Sequence, residues 1–295
     1  MGPSGFVSDP GETLPIKHEE RSIGAILVQA GRLKFKDAER ILRLQREQGL
    51  RFGEAATQLG LLTQADIEFA LSRQFAYPYL LHGEGKVSED LDAAYAPFSP
   101  QVEALRALRS QLMLRWFDGD PTHKTLAIVG AARNEGRSYL TASLAVVFSQ
   151  LGERTLLIDA NMRNPCQHTL FGLGNRMGLS AVLSRRAGPE VIHRIPAMLD
   201  LSVLPAGAQP PNPLELVSQP LFTRLLKDLA RYFDVILLDS PAAAEYADAQ
   251  ILSVRAGAAL IVVRKNATRT WQLRGVSENL AHASTTVVGT VLNDF

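Results

Sequence analysis

The sequence predicts an α/β protein: a mostly parallel sheet with helices on both faces, preceded by a small all-α domain. Three observations carry this. From Pro100 onward, short apolar runs alternate with stretches of helical periodicity. The runs are β-rich and apolar on both faces, as strands buried inside a parallel sheet must be. Before Pro100 the pattern differs, and residues 17–82 read as short helices punctuated by Gly-Leu pairs.

Taken in order, residues 1–16 are rich in Gly, Pro and Ser and are expected to be disordered. Residues 17–82 hold an internal repeat. Gly24, Gly31, Leu33 and Gln45 recur as Gly53, Gly60, Leu62 and Gln74, at the constant offset of 29 that separates 24 from 53. Two packed copies of one helical unit is the simplest reading. Residues 83–99, within "GEGKVSEDLDAAYAPFSP", read as a linker. Residues 100–295 then carry the strands "TLAIVG", "RTLLID", "LSVLP", "DVILLD", "AALIVV" and "TVVGTVLN", with helices between them.

Bulk properties exclude several classes. A chain of 295 residues with 46% hydrophobic and 21% charged residues has room for two globular domains. A net charge of +1 gives no electrostatic reason for nucleic acid or an anionic membrane as main partner. Cys166 is the only cysteine, which rules out a disulfide framework and a cysteine metal site. No run reaches the roughly 18 apolar residues of a membrane span, and the N-terminus lacks the apolar stretch of a secretory signal. The expected location is cytoplasmic, with any attachment to the inner membrane made through a partner.

The segment from Ala131 to Ser138, A-A-R-N-E-G-R-S, fits the phosphate-loop spacing [AG]-x4-G-K-[ST] except at Arg137, where lysine is usual. Backbone N–H groups of such a turn converge on phosphate oxygens, and a helix beginning there adds its positive dipole end. The nucleotide-binding candidates are Ala131, Arg133, Asn134, Glu135, Gly136, Arg137, Ser138 and the adjoining Tyr139. Gly136 allows close backbone approach, and Ser138 offers a hydroxyl to Mg²⁺. Arg137 can supply charge, but through a planar fork rather than a compact ammonium. Taken alone, the segment also fits an ordinary strand-to-helix turn. Asp159 and Asp239 stand at the ends of "LLID" and "VILLD", on the sheet edge where ligands of open parallel sheets bind. Asp239 is the candidate Mg²⁺ ligand, directly or through water. Asp159 could hold the metal's water or take a proton from an attacking hydroxyl. Either carboxylate could instead cap a helix.

These motifs give residues 100–295 a family resemblance. The segment resembles the bacterial tyrosine kinases (BY-kinases) that accompany exopolysaccharide chain-length determinants, within the MinD-like class of P-loop NTPases. "LLIDANMR" is similar to the family's second Walker motif, D-x-D-x-R, with Asn161 in place of the second Asp. "GLSAVLS" and "LPAGAQPPNPLELVSQP" resemble two further signatures. In the second, Asn212 is expected to cap a helix, with Pro213 first and Glu215 completing a capping box. "EALRALR" matches the family's E-x2-R-x2-R oligomerisation element through Glu103, Arg106 and Arg109, which could also form a solvated charged face. Asn293, in "VVGTVLNDF", stands where the family reads the adenine edge.

An EpsG-like subgroup is the best fit, since it carries arginine in the loop and an added N-terminal domain. The repeats of residues 17–82 resemble the N-terminal module of type II secretion and pilus ATPases. Some such modules bind cyclic di-GMP, and the matching residues here are Arg51, Gly53, Gly60 and Gln74. A docking domain without ligand fits the same residues.

The resemblance implies ATP and Mg²⁺ as cofactors, catalysis by Asp159, Arg137 and Asp239, a homo-oligomer, and a membrane-embedded chain-length determinant or co-polymerase as activator. Three departures bear on activity: Arg137 for lysine, Asn161 for aspartate, and no tyrosine cluster after Tyr246. Three functions follow in order of preference. The first is a tyrosine autokinase controlling exopolysaccharide polymerisation, chain length and export. The second is a non-kinase nucleotide switch, although Ala131 and Ala132 stand where the MinD form has its signature lysine. The third is a degenerate scaffold that senses cyclic di-GMP.

Overall fold

The computed structural model describes residues 22–294 apart from 75–77, 84, 197 and 199. The expected disordered stretch 1–16 lies outside the described residues. The chain divides into two compact units, residues 1–77 and 78–295.

The first unit contains α1 (Ile23–Gln29), α2 (Phe35–Gln48), α3 (Phe52–Gln58) and α4 (Gln64–Gln74). The repeat is visible as two short-long helix pairs. Gly31 and Gly60 follow the short helices with φ of 71° and 63°, a left-handed conformation that glycine adopts without strain. Leu33 and Leu62 follow and are buried. Gly24 and Gly53 have a packing reason too. A Cβ would stand 3.3 Å from the Phe52 ring at Gly24 and 3.2 Å from Ile67 at Gly53. Ser22 and Arg51 occupy the same place before each short helix. Ser22 Oγ accepts from Ala25 N at 3.2 Å, whereas Arg51 N donates to Glu54 Oε2 at 2.9 Å.

The second unit starts at residue 78, and here the sequence reading needs correction. Residues 83–99 are not a linker. Val87, Leu91, Ala93, Ala94 and Tyr95 are buried in one core with Phe117 and Phe148. Charged residues between these apolar ones hide the pattern in the sequence. Ser88 N donates to Leu170 O at 2.7 Å, Tyr95 Oη to Val87 O at 2.6 Å, and Gln150 Nε2 to Pro78 O and Ala93 O. The segment includes α5 (Asp92–Tyr95) and leads into α6 (Pro100–Arg115), which Ser99 caps and Pro100 starts.

The remaining elements are β1 (Thr125–Gly130), α7 (Arg137–Ser149), β2 (Thr155–Asp159), α8 (Gln167–Leu170), α9 (Leu179–Leu183), β3 (His193–Arg194), β4 (Leu201–Leu204), α10 (Pro213–Ser218), α11 (Pro220–Leu229), β5 (Val235–Asp239), α12 (Asp248–Ala256), β6 (Ala258–Arg264), α13 (Thr270–His282) and β7 (Thr286–Asn293). They form one sheet in the order β3-β4-β2-β5-β1-β6-β7. Every pairing is parallel except β3 with β4. The six predicted strands are all present. The two-residue β3 is too short for any periodicity to mark it.

Side-chain alternation divides the core. Leu126, Ile128, Leu157, Leu237 and Leu260 face α7, which α5 and α6 cover in turn. Ala127, Val129, Leu156, Ile158, Ile236 and Leu238 face the other way, toward α10, α11, α12 and α13. Strands covered on both faces have no polar side to show, which is why they read as continuous apolar runs. Asn212 precedes α10 and Pro213 begins it, but the expected side-chain cap is not formed.

Candidate nucleotide site

The loop between β1 and α7 lies at the carboxyl edge of the sheet. Backbone geometry shapes it. Asn134 has φ of 59° and Gly136 of 85°, and these two left-handed residues turn the chain into α7. Gly130 must lack a side chain, since a Cβ would stand 2.8 Å from Val262 O and collide with the Glu135 carboxylate. Ala243 N and Ala244 N donate to Gly130 O and Ala131 O, tying the loop to the segment after β5.

Arg137 does not extend outward. Its side chain is 8% exposed and folds beneath its own loop. Nε donates to Ser240 O at 3.3 Å, and Nη1 donates to Ala132 O and, at 3.2 Å, to Glu135 Oε2. Glu135 is 2% exposed and also accepts from Thr268 Oγ1 at 2.6 Å. Burial pulls the guanidinium below its ordinary pKa, against the opposing pull of Asp239, Glu135 and Glu245. A buried pair of this kind couples the loop to the start of α13 through Thr268.

The acidic residues meet because of strand register. Asp159 and Asp239 are paired neighbours at the ends of β2 and β5, and both are fully buried. Burial pushes both carboxyls up, well above the ordinary value for Asp159, which Asp239 raises further by repulsion. Their surroundings differ. Asp159 Oδ1 accepts from Asn161 N at 3.2 Å, and Oδ2 from Cys166 N and Gln167 N at 3.1 and 3.0 Å. Its oxygens therefore serve a turn, as in the capping alternative. Asp239 Oδ2 accepts from Gln167 Nε2 at 2.7 Å, while Oδ1 is buried without a partner, as is Gln167 Oε1. Asn161 clasps Asn164 through both backbone groups of that residue.

Unpaired buried oxygens call for an explanation, and here a hard cation fits. Mg²⁺ is commonly held by one or two protein oxygens plus substrate phosphates. Asp239 Oδ1, the Ser138 hydroxyl beside that carboxylate and Gln167 Oε1 supply that donor chemistry. Among the described residues, no three His, Cys, Asp or Glu gather into a self-sufficient metal site.

A cavity of about 310 Å³ joins Arg133, Asn134, Glu135, Gly136, Arg137, Ser138 and Tyr139 to Asn161, Arg163, Cys166 and Tyr246. Ala131 is buried beneath the loop and does not line it. A second cavity of about 1080 Å³ shares Asn134, Gly136 and Tyr139 and runs between α6 and β7, with Leu105, Leu108 and Asn293 on its wall. Asn293 Nδ2 donates to Glu135 O at 3.1 Å, so its amide also braces the loop. Burial pushes the Cys166 thiol up to about 12 and leaves it protonated.

The oligomerisation candidates separate. Glu103 is 72% exposed. Arg106 donates to Glu103 Oε2 and Pro97 O, and Arg109 to Val147 O, so both arginines brace their own chain. In the first unit, Gln74 lines an apolar groove of about 860 Å³ that Arg51, Gly53 and Gly60 do not reach. Sequence reasoning missed Gln167, Glu245, Tyr246 and Asp248 at the nucleotide site. Arg163 holds Asp248 in a two-pronged ion pair at 3.1 and 3.0 Å. None of these carries a motif signal beyond the loop and strand ends around them.

No family model matches the chain. The tyrosine-protein kinase YwqD of Bacillus subtilis is 33% identical over 208 residues, covering 70% of this chain and 87% of that protein. Two longer tyrosine-kinase relatives are matched over only 29% of their length. Among solved structures, the chimerical protein CapA2B2 is 31% identical, with a TM-score of 0.65, covering 77% of this chain and 98% of that one. The cell division ATPase MinD of Pyrococcus furiosus shares the sheet and phosphate-loop architecture at 25% identity and a TM-score of 0.51, covering 58% of this chain and 71% of that one. At 33% identity to YwqD over 208 residues that span 87% of that kinase, and on a MinD-like P-loop fold, the chain belongs to the bacterial tyrosine kinase family.

Proposed function

We propose that the chain is an ATP- and Mg²⁺-dependent tyrosine autokinase that regulates exopolysaccharide polymerisation, chain length and export. The observation that carries this reading is the unpartnered Asp239 Oδ1 beside Gln167 and Ser138, at the foot of the phosphate loop. The loop N–H groups and the start of α7 would receive the phosphates. Asp239, Ser138 and Gln167 would hold Mg²⁺, which neutralises charge on the phosphates. Arg133 and Arg163 would add positive charge around the cavity. Arg137 would use Nη2 as its donor, because Nε is committed to Ser240 O after β5 and Nη1 to the loop. The wider cavity beside Asn293 suits a nucleobase. Phosphoryl transfer needs mainly positioning and charge neutralisation, so the turn-bound Asp159 need not act as a strong base.

The kinase would work as a homo-oligomer, with the exposed Glu103 on α6 facing a neighbour. A membrane-embedded co-polymerase would activate it and bring it to the membrane. Among the described residues no helix is long and apolar enough to cross a membrane. The first unit would serve as a docking module of the secretion-ATPase type. Cyclic di-GMP has less support, since only Gln74 of its four residues lines the groove.

The test uses purified chain and Mg-ATP labelled on the γ-phosphate, scored for label on tyrosine and for released phosphate. Asp239→Ala runs beside it. Label on tyrosine that the variant loses supports the kinase. The buried Glu135–Arg137 pair favours the second reading, a nucleotide-switch ATPase, and release of phosphate without protein label would select it.

A further inference from the structure

Tyr246 stands apart from Tyr95, Tyr139 and Tyr232. Tyr95 is buried with its hydroxyl on Val87 O, and Tyr232 is exposed. Tyr139 lines the cavity, but its hydroxyl accepts from Asp92 N at 3.4 Å. Tyr246 shares the cavity of about 310 Å³ with Gly136, Arg137 and Ser138. Its ring and hydroxyl sit among charges. The Arg163 guanidinium lies 4.0 Å from the ring centroid and is fixed by Asp248. Arg133 Nη2 donates to Tyr246 Oη at 3.3 Å, and the same guanidinium grips Glu245 through Nε and Nη2 at 2.8 and 2.7 Å. Arg133 holds the Glu245 carboxylate beside this phenol, and that guanidinium keeps the carboxyl below its ordinary pKa. A phenol therefore stands in the phosphate cavity with one arginine under its ring and another at its oxygen.

We propose that Tyr246 is an acceptor of the γ-phosphoryl group from nucleotide bound to its own chain. This rests on the kinase reading above and names the acceptor for it. The bond from Tyr246 Oη to the γ-phosphorus forms as the bond from that phosphorus to the bridging oxygen of ADP breaks. The electron pair leaves with ADP, and the phenol proton passes to solvent water. Arg133 is placed to pair with the phosphotyrosine dianion, a charge-assisted contact that guanidinium makes with two prongs. Glu245 is then repelled from its present place on Arg133. The new phosphate also occupies space that the next γ-phosphate needs, so modification limits further nucleotide binding.

The experiment incubates the full chain with labelled Mg-ATP at several protein concentrations and maps the label by peptide analysis. A copolymer of Glu and Tyr is included as a second acceptor. The expected result is label on the peptide containing Tyr246, formed with a first-order rate constant independent of protein concentration. Tyr246→Phe should lose that label, and phosphorylated chain should bind Mg-ATP more weakly. Label on other tyrosines with Tyr246 unmodified, or a rate constant that rises with protein concentration, overturns the inference and leaves the kinase reading standing. Label on neither chain nor copolymer overturns both.

Discussion

Replacing Arg137 by lysine should loosen the nucleotide-free loop and tighten its hold on nucleotide. The guanidinium now spans two places, Ser240 O through Nε and the Ala132–Glu135 pair through Nη1. An ammonium can occupy the second place but cannot span both. Lysine therefore forfeits the Nε bond to Ser240 O, which at 3.3 Å is long. Bonds from charged donors contribute about 1.5–3 kcal/mol, and a long one sits at the low end, so the cost is about 1–1.5 kcal/mol. For a unit of this size that lowers Tm by about 2–6 °C. On the other side, the compact ammonium can turn from Glu135 to a phosphate. One such bond, less the charge Arg137 already supplies, is worth about 1.4 kcal/mol or tenfold in Kd. Thermal unfolding without nucleotide and calorimetric titration with Mg-ADP measure the two halves. A lysine variant as stable as the parent and no tighter for nucleotide would show that Arg137 is neither held by Ser240 O nor kept from phosphate by Glu135 in solution.

The acidic pair gives a pH signature. A carboxyl whose folded-state pKa is raised binds more protons folded than unfolded, so its contribution falls as pH rises from the ordinary value near 3.8 toward the raised one. Nucleotide-free Asp239→Asn should flatten that decline and gain on the order of 1–3 kcal/mol at neutral pH while losing Mg²⁺-dependent nucleotide binding. Equal pH slopes in parent and variant would refute the shared burden. Gly172→Ala should destabilise the second unit by about 1–3 kcal/mol. Gly172 has φ of 61°, and a Cβ there would stand 2.5 Å from Lys86 Cβ and overlap the Lys86 carbonyl. An unchanged denaturant midpoint would return residues 83–99 to the role of a linker.

The strands were legible in the sequence because burial on both faces leaves no polar alternation to confuse with a helix. The ends of β2 and β5 were legible for the same reason, since a lone Asp closing an apolar run marks the sheet edge. Residues 83–99 were not, because their buried apolar side chains, interleaved with Lys86, Glu89, Asp90 and Asp92, resemble a solvated segment. The loop residues could be named from spacing, but not the direction of Arg137. That direction depends on Glu135, which is two residues away, and on Ser240 and Thr268, which are more than a hundred away. Gln167 carries no signal at all; its role exists only because the turn held by Asp159 delivers it to Asp239.

That last relation assigns different work to the two acids. Three backbone N–H donors occupy Asp159, and releasing them would undo the turn that carries Gln167. On the proposed reading, a cation entering the site would meet Asp239 Oδ1 and Gln167 Oε1 first, with the Asp159 carboxyl behind them. The paired burial of Asp159 and Asp239 costs stability at neutral pH, and a cation bound there would relieve the repulsion. Strand register would thus contribute to metal affinity. Because that cost is present before binding, nucleotide arriving with its metal would gain more from Asp239 than from an exposed carboxylate. This also explains how the site tolerates Asn161: another carboxylate beside two buried ones would raise the cost of the empty state, whereas the neutral amide closes the turn through Asn164 without adding to the repulsion.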